Sequence, residues 1–136
     1  MNTAYGLKTR TRLGMAEAEA KVRELLAGEG FGILTEIDVA ATLEEKLGVT
    51  RDPYRILGAC NPQLAAEALD HEVDIGLLLP CNVIVYQEGE ETVVAALDPS
   101  TMVDLTDNPA LADVAGEARS RLERVIDAMA EEDADA

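Results

Sequence analysis

The stretch Cys81-Asn-Val-Ile-Val-Tyr-Gln-Glu-Gly-Glu-Glu-Thr-Val-Val-Ala-Ala-Leu-Asp98 decides the architecture. Cys81 to Gln87 is rich in Val and Ile, Glu88-Gly89-Glu90 is a turn signal, and Thr92 to Asp98 is a second β-prone run. Two such runs joined by so short a turn form a hairpin, and a hairpin requires antiparallel pairing.

On either side of the hairpin the pattern alternates between periods of two and 3.6. Upstream, residues 4–12 read as a strand with one wet face, ended at Gly14. Met15, Ala18, Val22, Leu25 and Leu26 then recur at helical spacing, with Gly30 as the C-terminal stop. Phe31 to Val39 is a second strand, with Ile33, Thr35 and Ile37 assigned to one face and Leu34, Glu36 and Asp38 to the other. A short helix over about residues 40–47 ends at Gly48. Tyr54 to Cys60 is a third strand after the Asp52-Pro53 turn.

Asn61-Pro62 pairs an N-cap with a first-turn proline and opens a helix to about Glu72. Asp74 to Pro80 is too short and too uniformly apolar to assign by period. Downstream of the hairpin, Pro99 to Leu105 reads as a loop with at most a helical turn. Asn108-Pro109 repeats the cap signal before a long helix with Leu111, Val114, Ala115, Ala118, Leu122, Val125 and Met129 on one face. Residues 131–136 form an acidic tail, so the expected layout is one domain over 1–130 plus that tail. Two long amphipathic helices need one sheet face to bury against. The fold class is therefore α+β, a two-layer sandwich with a mainly antiparallel sheet, rather than a doubly wound sheet. The strand Thr92–Asp98 is a candidate exposed edge for pairing with a second copy.

With 136 residues the chain is long enough to bury a core without staples. Only 3% of residues are aromatic, so that core is aliphatic. The net charge of −16 excludes a phosphate-binding stripe and disfavours anionic membranes, so neither nucleic acid nor membrane is an expected partner. Acid-rich, lysine-poor composition also fits solubility at high salt, an adaptation of halophilic proteins; an ordinary acidic protein has the same composition. The N-terminus lacks a signal-peptide pattern and two cysteines make no disulfide framework, which points to a cytoplasmic chain with reduced thiols. Gly28, Gly30 and Gly32 make no phosphate-loop spacing.

Chemistry-bearing residues concentrate at the two Cys-Asn steps, Cys60-Asn61 and Cys81-Asn82. Cys60 precedes a helix N-terminus, where a thiolate is stabilised. The two thiols are open to reading as a redox pair, a metal-ligand pair, a nucleophile or small packed residues, and no Cys-x-x-Cys spacing favours the metal. Asn61 is accounted for as a cap. Asn82 is not, because Asn is disfavoured in strands. His71 is the only histidine and sits among acids at a helix end, so no zinc site is expected. Glu36 with Asp38, and Asp98 before Pro99, are carboxylates at strand positions, and Arg55 opens the third strand.

Gly32-Ile-Leu-Thr-Glu-Ile-Asp-Val39, Tyr54-Arg-Ile-Leu-Gly-Ala-Cys-Asn-Pro62 and Gly76-Leu-Leu-Leu-Pro-Cys-Asn-Val83 closely resemble the family called domain of unknown function 302. The resemblance spans nearly the whole chain. It implies a sandwich of strand–helix–four strands–helix order, similar to the TATA-binding-protein-like fold and often a homodimer. It brings no reaction, substrate or cofactor, and the fold likeness brings no DNA binding. The expectation is a small-ligand module with its site near Cys60, Asn61, Cys81 and Asn82 and with Glu36, Arg55 and Asp98 at the rim. The alternatives are a thiol-based redox or metal-handling protein using Cys60 and Cys81, and a structural dimer module without ligand. Whether catalysis occurs is open.

Overall fold

The hairpin strands β4 (Cys81–Glu88) and β5 (Glu91–Leu97) pair antiparallel from Val83↔Ala96 to Glu88↔Glu91 in the computed structural model, which describes residues 2–134. Gly89, at φ +63, takes the first loop position of the two-residue connection, where an L side chain is strained. Around this hairpin β1 (Gly6–Thr11), β2 (Gly32–Asp38) and β3 (Tyr54–Cys60) complete one five-stranded, fully antiparallel sheet of order β1-β5-β4-β3-β2. The strand Thr92–Asp98 is thus an inner strand and not an edge: β1 returns from the N-terminus to cover it, and β1 and β2 are the edges.

Two long helices cover one face of the sheet. In α1 (Met15–Gly28) the four-residue spacing of Ala18, Val22 and Leu26 gives one fully buried stripe. In α5 (Ala112–Ala134) Leu122, Val125, Ile126 and Met129 close over Leu7, Leu57, Val83, Val85 and Val94 of the sheet. The core is aliphatic apart from Phe31, as the composition demanded. The fold is an α+β sandwich with two long helices on one face. α5 continues past Met129 into the segment read as an acidic tail, and Asp135 and Ala136 lie outside the described residues.

Five shorter elements fill the connections among the described residues. α2 (Val39–Leu47) is capped by the Asp38 carboxylate, which accepts the Ala41 N–H at 2.9 Å. α3 (Pro62–His71) follows β3, and a 3-10 segment at Val73–Leu78 occupies most of the run whose period was ambiguous. α4 (Ser100–Thr106) replaces the expected loop, its start fixed where Asp98 accepts the Ser100 N–H at 2.9 Å. Asn108 and Pro109 open a 3-10 turn, Pro109–Leu111, that leads into α5. Where these pieces meet, Ala68, Ile75, Cys81, Met102, Leu111 and Val114 form a second, smaller core.

The face assignment of β2 needs one correction. Ile33 pairs with Ala59, but the register shifts before Thr35, which pairs with Gly58. A strand with an irregularity changes which face its later residues use. Ile33 therefore packs on the helix side, whereas Thr35 and Ile37 join the opposite face and Glu36 and Asp38 turn to the helices. Gly58 allows this close approach: a Cβ there would lie 2.1 Å from Thr35 Oγ1 and 2.8 Å from Pro80 Cγ.

Candidate functional site

The β3–β4 register brings the two Cys-Asn steps into neighbouring strands, with Cys81 opposite Ala59 and Asn82 opposite Gly58. Cys60, Asn61 and Cys81 line one narrow, partly open space, walled by Phe31, Leu64 and Met102, of about 30 Å³. That volume suits about one water, far below the several hundred Å³ of small-molecule pockets. Both thiols are free. Burial, and secondarily the neighbouring Cys60, pushes the Cys81 thiol up to about 11. Such a thiol is protonated at neutral pH and a poor nucleophile.

Asn61 is fully employed in the fold. Its Oδ1 accepts the Leu64 N–H at 3.2 Å and caps α3. Its Nδ2 donates to the Glu29 carbonyl at 3.4 Å, at the end of α1, where Arg121 also donates at 2.8 Å. Gly30, at φ +86, must be small there, since a Cβ would meet Asn61 Nδ2 at 2.9 Å.

Asn82 lies one residue on from Cys81 and therefore on the opposite face of β4, away from the helices. It is exposed, and its side chain makes no hydrogen bond among the described residues. Arg55 lies five residues before Cys60, about 16 Å along the strand. Its Nε donates to Glu19 at 2.8 Å, and its guanidinium approaches Asp38 at 3.9 Å. Glu36 pairs with Arg23, which also holds Glu19 at 3.0 Å. Glu36 and Arg55 thus belong to one ion network joining α1 to β2 and β3. Burial opposes ionisation of Glu19, but Arg55 and Arg23 outweigh it and hold the carboxyl below its usual range. Asp98 accepts the Ser100 N–H at the start of α4 and accepts from Arg119 Nε at 3.1 Å. His71 is exposed at the end of α3. Among the described residues no group of three His, Cys, Asp or Glu side chains converges as a metal site would, and no helix is long and apolar enough to cross a membrane.

On the sheet face opposite the two long helices, Asn82, singled out from the sequence, is joined by residues that sequence reasoning missed: Tyr5, Lys8, Tyr54, Ile84 and Tyr86. Together they surround a concavity of about 400 Å³. Tyr54 and Tyr86 are register partners and their rings stack, while Lys8 Nζ lies 5.8 Å from the Tyr86 centroid. Burial first, then Tyr86 and Tyr5, push the Tyr54 hydroxyl up, so it stays a neutral donor. A second depression of about 510 Å³ adjoins it, sharing Tyr5, Asn82 and Leu97 and adding Leu77, Pro80 and, from α4, Asp104 and Leu105. The signal for this site was available in part: three of the chain's four aromatic residues are the tyrosines that line it. Period-two alternation also puts Asn82, Ile84 and Tyr86 together, opposite the buried Val83 and Val85.

A family model described as domain of unknown function DUF302 matches residues 7–129. Among solved structures, an uncharacterized conserved DUF302 protein from Bacillus stearothermophilus has a TM-score of 0.87 and 34% sequence identity. The alignment covers 93% of this chain and 99% of that one. No curated protein matches the chain. The family model spans both core helices and all five strands almost completely: the chain belongs to the DUF302 family.

Proposed function

We propose that this protein is a small-ligand-binding domain whose site is the concavity on the sheet face opposite the two long helices, reached through Asn82 of the second Cys-Asn step. One observation carries the reading: a hollow of about 400 Å³ gathers all three tyrosines, Lys8 and an exposed, unbonded Asn82 side chain. Apolar walls with a few convergent polar groups are the general form of such sites. The space between Cys60, Asn61 and Cys81 supports the reading less, because it has room for about one water.

The chain has no Trp, so its intrinsic emission comes from Tyr5, Tyr54 and Tyr86, and all three line the proposed site. A small-molecule library screened by tyrosine emission tests the reading. Binders should change that emission and lose affinity in Asn82→Ala. A screen without any such compound sinks the proposal.

A second copy over the same face is the other reading, favoured by Ile37, Ile56 and Ile84, which lie on the sheet face opposite the two long helices. Sedimentation over a wide concentration range, with Ile84→Lys as the disrupting variant, tests it. A monomer at every concentration rejects it.

A further inference from the structure

We infer, resting on the open-face site proposed above, that its ligand is an anion with a planar apolar body. Acidic residues number 27 in 136, yet none of the eleven residues lining the concavity is acidic, and Lys8 is the only charged one. In a chain of net charge −16 this is a local reversal of sign.

The treatment of the two neighbouring cations on β1 sharpens the point. Arg10, two residues along the same strand face, is neutralised by Glu88 at 2.5 Å and approached by Glu91 at 4.0 Å. Lys8 has no carboxylate within ion-pair distance among the described residues, and its ammonium rests only over the Tyr86 ring. An incoming anion supplies the missing partner. The rest of the lining donates or is apolar: the phenol hydroxyls and the Asn82 amide offer protons, and Ile84 and Leu97 offer a flat wall beside the tyrosine rings. A carboxylate, sulfonate or phosphate on an aromatic or other planar skeleton satisfies both halves. A cation finds no counter-charge among the residues lining this concavity; the adjoining depression holds one acid, Asp104.

Two probes with a common aromatic body separate charge from shape: anionic 1-anilinonaphthalene-8-sulfonate and neutral N-phenyl-1-naphthylamine. Each is titrated into the full chain with probe emission and tyrosine emission read together. The anionic probe should bind saturably and more tightly than the neutral one. Lys8→Gln should weaken the anionic probe about fivefold, the upper range for a partly exposed ion pair, and leave the neutral probe unchanged. Lys8→Arg should retain affinity, and Lys46→Gln, on α2, should change neither. Equal affinity for both probes, or an anionic probe indifferent to Lys8→Gln, overturns the anion assignment while leaving the site in place. If neither probe perturbs tyrosine emission, the site itself is refuted. Anionic-probe binding that falls in step with dimer formation shows that a second copy occupies the face, and this too overturns the assignment.

Discussion

Tyr54 and Tyr86 stand opposite each other on β3 and β4 with ring centroids 5.2 Å apart and planes inclined by 10°. In a protein with four aromatic residues, two are committed to a stack on the sheet face opposite the two long helices. Cross-strand aromatic pairs stabilise a sheet beyond the area they bury. A double-mutant cycle with Tyr54→Ala and Tyr86→Ala should give a coupling of about 0.5–1.5 kcal/mol in urea unfolding. Additive single effects mean that the rings do not interact in solution.

Asn61 and Asn82 follow the two cysteines identically in sequence but play opposite parts. Asn61→Ala removes a helix cap and one of two donors to the Glu29 carbonyl. It should cost about 1–2 kcal/mol. Asn82→Ala removes an exposed side chain with no bond among the described residues and should change stability by less than about 0.5 kcal/mol. Chemical denaturation of both variants checks the contrast, and equal losses refute it.

The acid limb of stability should depend on the Glu19 network. Glu19 is held below its ordinary 4.5 by Arg55 and Arg23 against the opposing effect of burial. A lowered folded pKa contributes stability that is present above the unfolded value and is lost as pH falls through the folded one. Arg55→Gln should therefore be less stable than wild type at neutral pH, and the difference should shrink as pH drops below about 4.5. Asp98, held below its ordinary 3.8 by Ser100 and Arg119 although burial opposes this, should behave likewise in Arg119→Gln at slightly lower pH. Denaturation midpoints across pH supply the measurement. A difference that stays constant into the acid limb contradicts it.

The thiols should differ in reactivity. Cys81 is buried and its pKa is raised to about 11, whereas Cys60 is half-buried at the strand's end. An aromatic disulfide reagent should titrate one thiol of the native protein, lost in Cys60→Ala, and a second only after unfolding. Two rapid, equal phases in the native state would instead favour the thiol-based alternative.

Much of the fold was legible because periodicity encodes burial directly. The stripe Ala18, Val22, Leu26 and the face Val114 to Met129 could be read as helices because each buries one side against a sheet. The tight turn at Gly89 fixed the antiparallel pairing of β4 and β5. Asn61 was legible as a cap, since a cap depends only on its own three following residues. The β2 face assignment failed at the shift between Ile33 and Thr35, which depends on the partner strand and not on the hydrophobic pattern.

By itself, then, the sequence determined the class of the fold, the core helices, the hairpin and the family motifs. These follow from local turn chemistry and from one apolar face per element. Strand order, and with it the site, was decided only in three dimensions. Nothing local tells β1 to pair beside β5, yet that pairing carries Lys8 to Tyr86 and Tyr54. It is also the alternation within β4 that sends Cys81 into the core and Asn82 to the open face, parting two residues that stand side by side in the chain.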